Sequence, residues 1–153
     1  MNKLSIFVSG TIEDMRVERN TVGAAIESLR LDAVRAETQY SSERSSREEC
    51  LKMARECDVY LGIYNPRRYG WTIPGDAISV TEMEFDEAQR HNKATLIFVH
   101  KLPKDWTPAN DDETQQREKQ KAFLNRVLDF DHGKFRAQEF ETLPQLEDQI
   151  AGS

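Results

Sequence analysis

Val59-Tyr60-Leu61-Gly62-Ile63-Tyr64 is the stretch on which the fold turns. Its β-branched and aromatic residues, bounded by Asp58 before and Asn65-Pro66 after, predict a short strand. A loop over residues 65–78 follows, rich in Pro, Gly, Arg and aromatics. Ser79-Val80-Thr81-Glu82 then opens a helix with a capping-box pattern, and residues 94–99 form a second apolar run. Strand, helix, strand in this order is a right-handed crossover, which builds a parallel sheet covered on both faces by helices.

The alternation extends in both directions. Leu4-Ser5-Ile6-Phe7-Val8 predicts a buried strand that stops at Ser9-Gly10-Thr11. A long helix comes next, with Val17, Val22, Ala25, Ile26 and Leu29 as its apolar stripe. Residues 33–36 read as a second strand, and the polar loop 37–45 leads to Ser46-Arg47-Glu48-Glu49, a capping-box pattern opening a helix to Glu56. On that helix Cys50, Met53, Ala54 and Cys57 share one face, as buried structural thiols would. Beyond residue 99 come an exposed loop over 101–112, a helix over 113–130 with Phe123, Leu124, Val127 and Leu128 inward, an edge strand over 135–140 and a closing helix over 143–151. The expected fold class is α/β: a flavodoxin-like three-layer sandwich around a five-stranded, mostly parallel sheet in the order 2-1-3-4-5, one domain over residues 1–153. Such sheets bind ligands outside the carboxyl ends of the strands, where the order reverses. Here that crevice lies between the loops beginning at Ser9 and at Asn65.

Composition narrows the function. The 153 residues are 38% hydrophobic and 31% charged, as in a water-soluble domain with one core. No apolar run approaches the roughly 18 residues that cross a bilayer, and the apolar stretch near the start is too short for a signal peptide. Two cysteines are too few for a disulfide framework, so the cytosol is the default compartment and no membrane partner is expected. A formal net charge of −6 argues against nucleic acid as a partner. The three histidines (His91, His100 and His132) are scattered, which leaves no metal site, and no resident cofactor is expected.

Candidate chemistry gathers at the carboxyl edge. At about 100° per residue, Val80, Glu84 and Ala88 lie along one side of their helix, so Glu84 points toward the sheet. A carboxylate held there is either a catalytic group or a partner in a structural ion pair or hydrogen bond, and the pattern leaves both open. Glu82 lies nearly opposite, where its capping-box role accounts for it and ligand contact is the secondary reading. Ser9, Gly10 and Thr11 make a small hydroxyl-bearing turn suited to phosphate or ribose, with ordinary helix capping by Thr11 or Asp14 as the alternative. It is neither a Walker loop nor a dinucleotide glycine fingerprint. Arg68, Tyr69 and Gly70, next to Trp71, suit a base, a phosphate or a protein-binding hot spot equally. Glu37 is the second carboxylate expected at this edge.

These residues carry a resemblance. Ile6-Phe7-Val8-Ser9-Gly10-Thr11 with Glu13-Asp14-Met15 and Glu18-Arg19 resembles the opening of a domain-of-unknown-function family often fused ahead of NACHT and other STAND-type NTPases or tetratricopeptide repeats. The likeness continues through Cys57-Asp58-Val59-Tyr60-Leu61-Gly62-Ile63, Arg68-Tyr69-Gly70, Ser79-Val80-Thr81-Glu82-Met83-Glu84-Phe85 with Ala88, and the strand up to Val99. The family usually has Ser where Gly10 stands and Gly-Gly before Arg-Tyr-Gly, where this chain has Asn65-Pro66-Arg67. More widely the chain resembles TIR domains and nucleoside deoxyribosyltransferases, whose catalytic Glu is followed four residues later by a small residue, as Glu84 is by Ala88. The resemblance implies a TIR-like fold of the kind that sits at the N-terminus of a larger multidomain chain. It also implies a nucleotide ligand, NAD or a nucleoside derivative, whose N-glycosidic bond Glu84 would cleave at the ribose. The alternatives are a non-catalytic module for self-association or partner recruitment in a signalling NTPase, and a nucleotide sensor without turnover.

Overall fold

The computed structural model describes residues 3–35, 47–72, 75–129 and 136–152. Ten elements alternate along the chain: β1 (Ser5–Ser9), α1 (Arg16–Ser28), β2 (Asp32–Arg35), α2 (Arg47–Glu56), β3 (Val59–Tyr64), α3 (Val80–Arg90), β4 (Ala94–His100), α4 (Asp111–Asp129), β5 (Arg136–Phe140) and α5 (Leu143–Ala151). The five strands form one sheet in the order β2-β1-β3-β4-β5, and every neighbouring pair is parallel. This is the order expected from the sequence, and the reversal falls between β1 and β3. Glu37 and Ser46, with the proposed cap of α2, lie outside the described residues.

Alternation along the strands sorts the core into two layers. Phe7, Tyr60, Tyr64, Ile97 and Val99 pack under α2, α3 and α4, together with Met53, Ala54, Phe85, Phe123 and Val127. Ile6, Val8, Leu61, Ile63 and Phe98 pack on the other face against Met15, Val22 and Ile26 on the α1 side and Leu146 and Ile150 of α5. Phe7, Tyr60, Phe85, Phe123 and Tyr64 meet edge to face in succession, with centroids 5.2–6.0 Å apart. Each such contact adds about 0.5–1.5 kcal/mol beyond the area it buries. Cys57 is buried here, and burial pushes its thiol up to about 11, so it is structural and unreactive at neutral pH.

Three expectations about the core are corrected. The inward positions of α1 and its N-cap run 15, 19, 22 and 26, leaving Val17 58% and Leu29 49% exposed. The inward position between Met15 and Val22 belongs to Arg19, which is 1% exposed. Leu128 is 53% exposed because it lines a cleft of about 360 Å³ between α4 and β5, where the helix does not cover the sheet edge. No helix among the described residues is long and apolar enough to cross a membrane.

Gly62 makes the centre of β3 possible. A Cβ placed there would lie 2.5 Å from both the ring and the hydroxyl of Tyr64, which folds back over it. Gly62→Ala is expected to lower the unfolding free energy by about 1–3 kcal/mol through overpacking, read as a lower denaturant midpoint with an unchanged m-value. An unchanged midpoint would mean that Tyr64 has somewhere else to go.

Candidate functional site

The site is built from the last residue of β1 and the second turn of α3. The hydroxyl of Ser79 caps α3 by accepting from the Glu82 amide at 3.1 Å, which fixes where the helix starts and which face meets the sheet. On that face Glu84 and Ala88 are buried, and Glu84 is only 5% exposed. Ser9 ends β1 on the face of the sheet that Phe7 shares, and its Oγ donates to Glu84 Oε1 at 2.8 Å. Tyr60 and Tyr64 lie beneath this pair with their hydroxyl oxygens 2.7 Å apart. Burial holds both phenols well above their ordinary pKa, and the nearby Glu84 carboxylate raises them further.

Glu84 and Glu87 both point inward from α3, yet their settings differ. Glu87 meets Arg55 of α2 at 3.0 Å, and also Arg90 and His91 of its own helix turn. Two arginines and an imidazole around it make Glu87 a structural tie between α2 and α3. Glu84 meets a hydroxyl at the mouth of the sheet.

The loop after β1 is held from both sides. Gly10 adopts φ +148°, and a Cβ there would come within 2.1 Å of the Ile63 carbonyl oxygen, so the close approach it allows is to β3. Arg19 supports this turn from below, donating to the carbonyls of Gly10 at 3.1 Å and Val8 at 3.2 Å. Sequence reasoning passed over Arg19 because an arginine is scored as solvent-facing. Its signal was helical phase, three residues before Val22 and seven before Ile26. Thr11 and Asp14 do not cap α1, whose N-cap, Met15, lacks a side-chain cap. Instead Thr11 donates to Asp14 at 2.8 Å, and Asp14 accepts from Asn65 Nδ2 at 2.6 Å, which joins the loop after β1 to the loop after β3.

The loop after β3 is clamped onto α4. Gln116 accepts from the amides of Tyr69 and Gly70 at 2.9 and 3.0 Å, Arg117 donates to the Pro66 carbonyl at 2.9 Å, and Gln120 to the Asn65 carbonyl at 2.8 Å. Tyr69 is buried, and its hydroxyl accepts from the Ser79 amide at 3.1 Å while donating to Glu82. The capping box is therefore modified: Tyr69, not Glu82, satisfies the Ser79 amide. Glu82 faces Tyr69 and Arg126, and Arg126 also holds Asp86 at 2.9 Å. Thus Ser9, Gly10, Thr11, Gly70 and Glu84 come together at the carboxyl edge. Tyr69 and Glu82 form its buttress, and Arg68 projects into solvent beside it. The cleft between α4 and β5 is a separate feature, lined by none of these residues. Among the described residues no cluster of His, Cys, Asp and Glu could hold a metal ion.

This architecture is that of a TIR-like α/β domain. The chain is similar to the TIR domains of the activated Roq1 resistosome directly recognizing the pathogen effector XopQ, with a TM-score of 0.59 at 10% identity over 98% of each chain. It is similar also to the TIR domain heterodimer of RPS4 and RRS1, with a TM-score of 0.58 at 12% identity over 99% of this chain and 94% of the other. Its family is narrower: the chain belongs to the family described as domain of unknown function (DUF4062), whose model matches residues 5–153. No curated protein matches it.

The two buried phenols give the site a measurable pH signature. Above the ordinary tyrosine pKa of 10.0 the unfolded chain loses protons that folded Tyr60 and Tyr64 keep. Their contribution to stability is therefore fully present below pH 10.0 and falls as pH rises, by up to about 1.4 kcal/mol per pH unit for each phenol. The Tyr60→Phe/Tyr64→Phe double variant is expected to show a visibly flatter alkaline limb in denaturant titrations. A limb parallel to that of the parent would place these phenols in water.

Proposed function

We propose that this domain is a TIR-like effector or signalling domain that binds a nucleotide, NAD or a nucleoside derivative, at the carboxyl edge between β1 and β3 and cleaves its N-glycosidic bond. The observation that carries this reading is the buried Glu84 carboxylate fixed by Ser9 at the point where the strand order reverses. Ligands of doubly wound sheets bind at that point, and a carboxylate beside a ribose carbon suits an oxocarbenium-like transition state. In the proposed reaction the base departs with the electron pair of the glycosidic bond. Positive charge builds on the ribose ring, and Glu84 stabilises it as counter-charge or forms a transient ester at the same carbon. Water then supplies the hydroxyl at that carbon and releases a proton. Gly10 and Thr11 would meet ribose or phosphate at the turn, Arg68 would meet phosphate from the rim, and Gly70 would let the ligand approach the backbone closely. Glu37 remains proposed as the second carboxylate at this edge.

A second reading has its own support. The loop after β3 is held rigid by Gln116, Arg117 and Gln120 while Arg67 and Arg68 stay exposed, which gives a preformed cationic projection for a protein partner. The RPS4 and RRS1 TIR domains form a heterodimer. Self-association or partner recruitment through this loop would serve a signalling module with or without turnover.

One comparison separates the readings. Glu84→Gln is expected to reduce release of free base from NAD or a nucleoside panel by about a hundredfold or more while leaving nucleotide binding and the fold intact. Chromatography of the released base, run at high protein concentration so that assembled forms are sampled, checks it. Equal release by parent and variant would remove Glu84 from the chemistry. Weakened association in Arg67→Ala/Arg68→Ala, with no release by any form, would favour the interaction module.

A further inference from the structure

Leu128 stands half exposed on the last turn of α4, at one end of the cleft between α4 and β5. That cleft holds about 360 Å³, within the range of small-molecule sites. The parallel register puts Ala137 and Glu139 of β5 beside Ile97 and Val99, on the face of the sheet that α4 covers. Arg117 bonds to the Pro66 carbonyl at the carboxyl edge, and Lys121, Leu124 and Leu128 follow it along one face of α4. The cleft is therefore two-ended. Val99 and Leu124 make an apolar floor that continues to the exposed Leu128 and Ala137. Toward the carboxyl edge stand Arg117 and Lys121 on the helix wall and Glu139 on the strand wall.

Among the described residues none of these three charges meets an opposite charge at ion-pair distance. Arg117 donates only to a carbonyl, and Lys121 has neither a hydrogen bond nor an ion pair. The Glu139 carboxylate likewise bonds to nothing, and Lys101, the cation it influences, is held by Glu141 at 3.0 Å. His100, at the same end, is engaged with the Lys101 carbonyl and the Phe140 ring. Arg117 and Lys121 are four residues apart on one helix face, a spacing at which like charges destabilise a helix. The chain carries 27 acidic side chains against 21 basic ones, so carboxylates that could relieve this pair are plentiful. Neither cation has one.

We propose that this cleft binds a small zwitterion with an apolar side chain, the chemistry of a free apolar amino acid. The ligand carboxylate meets Arg117 and Lys121 and relieves their repulsion. Its ammonium answers Glu139 on the facing wall, and its side chain covers Leu124, Leu128 and Ala137, which shields apolar surface from water. Simpler ligands satisfy only half of the lining. A fatty acid or a phosphate leaves Glu139 unanswered, and an apolar amine leaves the two cations facing each other. The site shares no residue with the Ser9–Glu84 edge and does not depend on the proposed cleavage. It adjoins the loop after β3 through Pro66, whose carbonyl Arg117 holds.

Phenylalanine is the probe, titrated into the whole domain while backbone amide and methyl NMR signals are followed. Saturable shifts are expected at Leu124, Leu128 and Ala137. Phenylpropionate, which lacks the ammonium, and phenethylamine, which lacks the carboxylate, are each expected to bind about three- to fivefold more weakly, as partly exposed charge pairs warrant. Glu139→Gln is expected to bring phenylalanine and phenylpropionate to equal affinity, and Lys121→Gln to narrow the gap between phenylalanine and phenethylamine. Both side chains are exposed, so neither change disturbs the core, and an unchanged backbone spectrum certifies the fold. Shifts that do not saturate, or that centre on Gly70 and Ala88 instead, overturn the inference. So does parent protein that binds either analogue as tightly as phenylalanine.

Discussion

A carboxylate taken out of water costs several kcal/mol unless donors replace the solvent, and at Glu84 one donor is the hydroxyl at the end of β1. That bond spans 75 residues of sequence and joins the first strand to the third helix. It requires a small hydroxyl-bearing residue at position 9, a helix phased so that position 84 faces inward, and a sheet in which β1 and β3 are neighbours. The cap at Ser79 sets the phase, and the parallel register sets the neighbours. Around it the molecule is arranged to keep the edge shaped. Arg19 braces the turn at Gly10, Asp14 ties that turn to Asn65, and α4 clamps the loop beyond.

The same arrangement explains why polar side chains are concentrated in what is otherwise an aromatic layer. Tyr60 and Tyr64 contribute rings to the edge-to-face series and hydroxyls to the cluster beneath Glu84. Phenylalanine would fill the same space without the hydroxyls. Tyr69 likewise fills the core while its hydroxyl links the cap of α3 to Glu82. In each case an amphipathic ring places a polar atom where a buried network needs one, which is how such residues enter a core.

Much of this was legible in the sequence. Strand order followed from the alternation of patterns, and the inward face of Glu84 from its spacing with Val80 and Ala88. What escaped was whatever depends on contacts between distant segments. Arg19 was missed because its charge outweighed its phase, and its acceptors are backbone carbonyls at residues 8 and 10, which no spacing rule marks. Glu82 read as half of a capping box, but Tyr69 arrives from another loop and takes the amide that Glu82 would have bound. Val17, Leu29 and Leu128 read as inward because apolarity was allowed to set the helical phase. Packing assigns them to exposed flanks.

The Ser9–Glu84 bond is the joint on which this account stands, and a double-mutant cycle measures it directly. Ser9→Ala, Glu84→Met and their combination would be compared by chemical denaturation, methionine matching the volume of glutamate without its charge. A coupling of about 1.5–3 kcal/mol is expected for a buried hydrogen bond to a charged group. Additivity within about 0.5 kcal/mol would contradict it. The carboxylate and the end of β1 would then be neighbours that do not interact.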